Sequence, residues 1–144
     1  MRIFCDTSVL VAAALQAHAE HRSCKLLLER IQSEEDTAHA AAHALAETFA
    51  VLSRMPTKPK LSPPDALEII EHDFLPHFVF VPPQTEDYLH SLRELARRNL
   101  SGGRVYDMLH LRAAGRLPVE RIYTLNAAEW KMLAPSLAGI IQAP

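Results

Sequence analysis

Short apolar runs recur along the chain, separated by longer segments in which apolar residues are spaced three or four apart. Runs of this length bounded by turn residues are typical of buried strands, and the one near residue 37 is weaker than the others. We predict strands over Arg2–Cys5, Thr37–Ala40, Phe78–Val81, Arg121–Thr124 and Gly139–Ile141.

The segments between these runs have the spacing of amphipathic helices, and several carry residues that start or end a helix. Ser62-Pro63-Pro64-Asp65 opens one helix, with Leu67, Ile70 and Phe74 as its apolar positions. Gly115 is the expected C-cap of another. We predict helices over Val9–Gln16, His21–Ile31, Ala42–Arg54, Ser62–Phe74, Thr85–Arg98, Arg104–Ala114 and Asn126–Leu133.

Strands that alternate with helices predict an α/β fold, in which a central parallel sheet is covered by helices on both faces. The 144 residues, 49% of them hydrophobic and 22% charged, suit one soluble domain with a proper core. No repeat or linker divides the chain, so we predict a single domain over residues 1–144. In such folds ligands bind beyond the carboxyl ends of the strands.

Charge and cysteine content narrow the class of function. The formal net charge of −2 argues against passive nucleic-acid binding, which relies on excess Lys and Arg, but permits an enzyme with a local basic rim. Cys5 and Cys24 are too few for a disulfide framework, and two buried thiols suit a reducing cytosol. Asp6 interrupts the first apolar stretch, against a signal peptide, so we expect a cytoplasmic protein without a membrane span.

Polar residues stand at several positions that should face the protein interior. Asp6 directly follows the first strand and Asn126 follows the strand that ends near Thr124, although both also suit helix N-caps. Glu47 lies on an otherwise apolar helix and faces solvent, pairs with a nearby basic residue, or joins a site. Asp107 lies in the first turn of its helix, as a partner of the helix dipole or as a buried acid that needs a partner.

A shared divalent cation would explain these acids together. Carboxylates about 4 Å apart repel by roughly 4 kcal/mol at intermediate dielectric, so a cluster of three resists assembly without a cation. Mg²⁺ or Mn²⁺ prefers such oxygen ligands and, in an open site, favours phosphodiester hydrolysis. We expect Asp6, Glu47 and Asp107 to converge on one pocket.

Four segments give this pattern a family resemblance. The chain resembles PIN-domain nucleases, and among them the VapC-type toxins of bacterial toxin–antitoxin pairs. The order, spacing and total length match over essentially the whole chain, and the first and third segments together are fairly specific. The segments are Phe4-Cys5-Asp6-Thr7-Ser8-Val9-Leu10, Ala46-Glu47-Thr48-Phe49-Ala50-Val51-Leu52-Ser53-Arg54, Gly102-Gly103-Arg104-Val105-Tyr106-Asp107-Met108-Leu109-His110 and Thr124-Leu125-Asn126.

The resemblance implies a three-layer α/β/α fold and an endoribonuclease that uses Mg²⁺ or Mn²⁺. It also implies RNA as substrate, inhibition by a small antitoxin protein and a homodimer. By the same resemblance the metal-binding acids are Asp6, Glu47 and Asp107, the fourth catalytic position is Asn126, and the supporting hydroxyls are Thr7 or Ser8 and Thr124.

The roles of several residues around this implied site stay open. A neutral Asn126 predicts that a second metal ion binds weakly, unless Glu129 one turn later supplies the missing acid instead of facing solvent. Arg104 either contacts an RNA phosphate through its guanidinium or pairs with a carboxylate. Arg97, Arg98 and Arg112 are further RNA-backbone candidates, or form a solvated basic face.

Histidines offer a competing metal site. His39, His43 and Glu47 share one face if a single helix carries all three, which would suit zinc, but the strand predicted over Thr37–Ala40 breaks that face. His110 is either packed in its helix or supports a metal ligand. Two further functions remain as alternatives to a toxin: a non-catalytic protein-binding module and a housekeeping RNA-processing nuclease.

Overall fold

Five parallel strands form one sheet at the centre of the molecule. The computed structural model describes all 144 residues. Its strands are β1 (Arg2–Cys5), β2 (Thr37–Ala41), β3 (Phe78–Val81), β4 (Arg121–Tyr123) and β5 (Ile141–Gln142). Their order across the sheet is β3-β2-β1-β4-β5, with parallel pairing throughout. The predicted central parallel sheet is confirmed.

Helices connect the strands and cover the sheet. None of them has the length and apolar character that crossing a bilayer demands. They are α1 (Thr7–Ala14), α2 (His21–Gln32), α3 (His43–Leu52), α4 (Pro63–Ile69), α5 (Thr85–Arg97), α6 (Arg104–Gly115) and α7 (Ala127–Leu133), with a π-helical turn at Ile70–Phe74 after α4 and a 3-10 segment at Pro135–Ile140.

Alternate residues of β1 divide the core into two layers. Ile3 and Cys5 pack with residues of α1 and α2, whereas Phe4 packs with residues of α6 and α7. This follows from the strand period of two, which sends neighbouring side chains to opposite faces of a sheet. Both layers are apolar, and burial of both faces explains why β1 reads as a continuous apolar run. The three-layer α/β/α architecture is therefore confirmed.

Three local predictions differ from the structure. Gly115 is the last residue of α6 and Arg116, in right-handed helical conformation, is the C-cap, so this helix end needs no left-handed glycine. The last strand begins only at Ile141, because Pro135 starts a 3-10 segment that continues through residue 140. Leu67 is exposed, since the wider π-helical turn aligns Ile70 and Phe74 with Ala66 instead.

The strand order creates a crevice beside β1. The chain passes from β1 to β2 on one side, whereas β4 pairs with β1 on the other, so the connections diverge at the carboxyl ends of β1 and β4. The Asp6 N–H donates to the Tyr123 carbonyl across 3.2 Å, which holds the two strand ends together. Ligands bind at such switch points in open α/β sheets.

Candidate active site

A cleft of about 390 Å³ opens at these strand ends. Its acids come from separate elements: Asp6 from the end of β1, Glu47 from α3 and Asp107 from α6. Asn126, which precedes α7, lies in the same wall. The complete lining is Asp6, Thr7, Ser8, Val11, His18, Glu47, Val51, Asp107, His110 and Asn126. The fold thus brings the four residues predicted as catalytic to one cleft.

Asp6 is held in place by donors on three sides. It is 4% exposed and is the N-cap of α1, where its Oδ1 accepts from the Val9 N–H at 3.2 Å. The Ser8 hydroxyl donates to Oδ1 at 2.6 Å, and the Thr124 hydroxyl donates to Oδ2 at 2.7 Å. Burial raises the pKa of Asp6, and these hydrogen bonds oppose the rise. The N-cap role and a role in the cleft therefore coexist.

The same hydroxyls hold the loop after β4 against the start of α1. Ser8 Oγ accepts from the Leu125 N–H at 3.0 Å, and Thr124 Oγ1 accepts from the Asn126 N–H at 3.0 Å. Thr124 is fully buried, so its hydroxyl serves only protein partners. The loop after β4, including Asn126, is consequently positioned relative to Asp6.

Glu47 is fixed by two groups at one of its oxygens. Thr7 Oγ1 donates to Glu47 Oε1 at 3.0 Å, and His110 Nε2 lies 3.0 Å from the same oxygen. Burial raises the pKa of Glu47, but the His110 and Thr7 hydrogen bonds and the charge of His110 outweigh it, so the net pKa is lowered. Glu47 is therefore the acid most easily ionised at this site, and its orientation depends on α1 and α6.

Asp107 is the acid whose pKa the other two acids of the cluster raise. Burial raises its pKa, and the negative charges of Asp6 and Glu47 raise it further. The Trp130 indole N–H lies near Asp107 and opposes this rise in its pKa, although it makes no regular hydrogen bond in the structure. Mutual repulsion of this kind is relieved by a bound cation.

The donor set fits a hard divalent cation. Asp6, Glu47 and Asp107 supply carboxylate oxygens to one cleft, Asn126 adds an amide, and no lysine or arginine lines it to neutralise them. The carboxylate oxygens are not gathered as closely as the ligand atoms of His43, Glu47 and His110, which all lie within 4.8 Å of one another.

The arginines singled out from the sequence lie outside this cleft. Arg104 Nε donates to Glu129 Oε1 at 2.5 Å, so these two side chains form an ion pair between α6 and α7. Arg97, Arg98 and Arg112 border a separate cleft of about 620 Å³ that shares no lining residue with the acidic one. Arg97 pairs with Glu94 and Arg112 pairs with Asp87, which leaves neither free in the structure.

Of two histidines near the site, His18 was not singled out from the sequence, and His43 was placed with Glu47 but with His39 as the third partner. His18, which follows α1, lines the cleft. The ring of His43 lies 4.1 Å from that of His110, and its Nε2 is 3.5 Å from Glu47 Oε1. Burial and the positive charge of His110 together lower the pKa of His43 to about 4, although the charge of Glu47 opposes the decrease. The His43–Glu47 spacing of four residues was visible; the approach of His110 from α6 was not.

His39 does not join these histidines. It lies on β2, where its Nδ1 is 3.3 Å from the Ile3 carbonyl. A strand ending at Ala41 separates it from α3, so the three-residue helix face considered from the sequence does not form.

Comparison with known proteins finds a family profile and curated relatives that match most of the chain. The PIN domain family profile matches residues 3–128. Ribonuclease VapC27 of Mycobacterium tuberculosis (strain H37Rv) is 33% identical over 109 residues, 76% of this chain and 74% of that protein. Ribonuclease VapC40 of Mycobacterium tuberculosis (strain CDC 1551) is 30% identical over 107 residues, 72% of each.

Two solved structures share the fold at low sequence identity. Mycobacterium tuberculosis VapC20, described as a Sarcin-Ricin loop cleaving toxin, aligns with a TM-score of 0.71 and 15% identity over 92% of this chain and 95% of that one. VapBC2 from Rickettsia felis, solved bound to a DNA fragment from its promoter, aligns with a TM-score of 0.63 and 19% identity over 100% and 99%.

Proposed function

This chain belongs to the PIN-domain family, and we propose that it is a divalent-metal-dependent endoribonuclease that acts as the toxin of a bacterial toxin–antitoxin pair. The observation that carries the proposal is the convergence of Asp6, Glu47 and Asp107 from three elements on one cleft. The ribonuclease names of the curated relatives support RNA as the substrate. An RNA substrate and two buried free thiols support a cytoplasmic location.

Mg²⁺ or Mn²⁺ would be held by the carboxylates of Asp6, Glu47 and Asp107. When bound, such an ion polarises a phosphoryl oxygen and lowers the pKa of a coordinated water. Asn126 contributes no negative charge, so we propose that one ion binds tightly and a second binds weakly. Glu129 does not compensate, since its carboxylate is paired with Arg104.

The chain's own contribution is to hold these oxygens before substrate arrives. Ser8 and Thr124 direct the two oxygens of Asp6, and Thr7 and His110 direct Oε1 of Glu47. Preorganised groups of this kind avoid reorganisation during the reaction. Hydrolysis in this site adds water across one phosphodiester bond and leaves a 5′-phosphate and a 3′-hydroxyl.

Arg104 remains our proposed RNA-phosphate contact. Its side chain is 38% exposed and lies one helical turn before Asp107, close enough along α6 to serve the same substrate. Guanidinium groups bind phosphate in a bidentate manner. The substrate phosphate would exchange with Glu129 as the partner of Arg104, so a Glu129→Gln variant should bind RNA at least as well as the native chain.

A small antitoxin and a second copy of the chain are the proposed protein partners. A chain of the VapBC2 complex has the same fold as this protein, which supports an antitoxin partner here. Tyr88 and Leu92 are exposed one turn apart on α5, and we propose this apolar pair as part of the contact between two copies. Size-exclusion chromatography with light scattering, with and without the protein encoded beside this gene, tests both.

A cleavage assay tests the function directly. Antitoxin-free native protein should cut 5′-labelled single-stranded RNA with Mg²⁺ or Mn²⁺ and not with EDTA. Asp6→Asn and Asp107→Asn should each reduce the rate on the order of 100-fold or more. Mapping transcript 5′ ends after expression of native chain and Asp107→Asn side by side gives the cleaved sequence.

Two results would contradict the proposal. Native protein that cleaves no RNA with either metal, and gains no melting temperature from Mn²⁺, would favour a non-catalytic binding module. Cleavage that persists unchanged in Asp107→Asn would place the chemistry elsewhere in the chain.

A further inference from the structure

Three nitrogen and oxygen ligand atoms converge at the wall of the acidic cleft, which Glu47 and His110 line. They belong to His43 and Glu47 on α3 and His110 on α6, and all lie within 4.8 Å of one another. We propose that these three side chains bind a transition-metal dication of the Zn²⁺ class at a site distinct from the Mg²⁺ or Mn²⁺ site and sharing Glu47 with it.

The spacing of the atoms fits direct coordination. Ligands about 2.0–2.1 Å from a tetrahedral Zn²⁺ are about 3.3 Å from each other. Glu47 Oε1 is 3.0 Å from His110 Nε2 and 3.5 Å from His43 Nε2, so little movement is needed to close around an ion. Two imidazoles and one carboxylate are a known zinc ligand set that leaves a fourth position open.

The hydrogen bonds around these side chains leave lone pairs available. Both ring nitrogens of His43 are buried without a hydrogen-bond partner, and so is Nδ1 of His110. Buried nitrogens without partners are costly, and coordination would satisfy one of them. Imidazole nitrogen prefers zinc, copper, iron or nickel, whereas magnesium prefers oxygen, so this site and the acidic cleft select different ions.

Sharing of Glu47 gives the site a consequence for activity. An ion held by His43 and His110 competes for the Glu47 carboxylate and adds positive charge beside the cleft. Zn²⁺ should therefore inhibit Mg²⁺-dependent cleavage. This consequence rests on the proposed function, whereas the binding itself does not.

Binding is best measured where the acidic cleft is disabled. Asp107→Asn removes one cleft acid and keeps all three proposed ligands. Isothermal titration of this variant with Zn²⁺ should give one site per chain with micromolar or tighter affinity. Adding His43→Gln should weaken that affinity at least tenfold, while adding His72→Gln, which removes an 87%-exposed histidine from the surface, should not change it.

The sole tryptophan provides a positional readout. The Trp130 ring lies 5.8 Å from the His110 ring, so Co²⁺ bound at the site should quench its fluorescence. The quenching should be lost in the His43→Gln background and retained in the His72→Gln background. Histidines elsewhere on the surface would bind Co²⁺ without this effect.

The outcomes separate this inference from the proposed function. Zn²⁺ affinity unaffected by His43→Gln, binding only at millimolar Zn²⁺, or unquenched Trp130 fluorescence would each overturn the site, even in an active nuclease. Tight binding that depends on His43 would support it even if the native chain cleaves no RNA. The link between Zn²⁺ binding and activity would be established if Zn²⁺ inhibits native cleavage and His43→Gln relieves this inhibition. The His43→Gln variant should keep Mg²⁺-dependent cleavage within a few-fold of native.

Discussion

Thr124→Val removes one buried hydroxyl at the junction of the site and the sheet. Thr124 Oγ1 donates to Asp6 Oδ2 at 2.7 Å and accepts from the Asn126 N–H at 3.0 Å. Valine has nearly the same shape, so packing should survive while both hydrogen bonds are lost. The buried Asp6 carboxylate is left with donors at Oδ1 only.

The expected loss of stability follows from the two bonds. A hydrogen bond to a charged group contributes about 1.5–3 kcal/mol and a neutral one about 0.5–1.5 kcal/mol. We therefore expect Thr124→Val to lower the free energy of unfolding by about 2–4 kcal/mol, or Tm by about 6–12 °C for a chain of this size. The hydroxyl also opposes the burial-raised pKa of Asp6, so its loss should raise that pKa further.

The chain offers a matched control on α3. Thr48 is equally buried, but its hydroxyl has no hydrogen-bond partner. Thr48→Val should be neutral or stabilising by up to about 1 kcal/mol. Urea unfolding of both variants at neutral pH measures the contrast, and RNA cleavage should fall only in Thr124→Val.

The pH dependence refines the test. A protonated Asp6 needs the Thr124 donor less than an ionised one, so the stability penalty should shrink as pH falls through the raised pKa of Asp6. Equal stability losses in Thr124→Val and Thr48→Val, or a penalty that grows in acid, would refute the assigned hydrogen bond.

Three further predictions concern charge and backbone conformation. Asp107→Asn should stabilise the metal-free chain increasingly as pH rises, because the raised pKa of Asp107 means that its ionised form destabilises the fold; unchanged urea midpoints at high pH would contradict this. Gly102→Ala should cost about 1–2 kcal/mol, since φ is +74° there, whereas Gly103→Ala at φ −66° should be neutral or stabilising by about 0.4–1 kcal/mol in thermal melts. Burial raises the pKa of Asp87, but a hydrogen bond from the Gln84 N–H and the charges of Arg116 and Arg112 lower it by more; native stability should fall as pH drops through that pKa, and acid titrations of Asp87→Asn should lack this slope.

The position of the acids explains why this site is costly to assemble. Asp6 and Asp107 both have raised pKa values, and burial is the largest cause for each. Only Glu47 gains enough from its neighbours for a net decrease. The fold therefore holds a carboxylate cluster that a cation would stabilise, and metal binding and thermal stability should be coupled.

Local patterns in the sequence determined much of the architecture. Apolar runs at β1 and β3, bounded by Asp6 and by Pro82-Pro83, are strands because a short run buried on both faces has few other solutions. The alternation of strands with helices then required parallel pairing, and placed Asp6 at a strand end. Gly139 and Leu67 were assigned incorrectly because a 3-10 segment and a π-helical turn leave no distinct local signature.

Only the tertiary structure decided which side chains meet. Arg104 could have bound a site carboxylate, but the approach of α7 pairs it with Glu129. His110 belongs to α6, yet it contacts Glu47, 63 residues earlier, because both helices converge at the carboxyl ends of the strands. Side-chain periodicity reports which face of its own element a residue occupies, whereas the partner on that face depends on how separate elements pack.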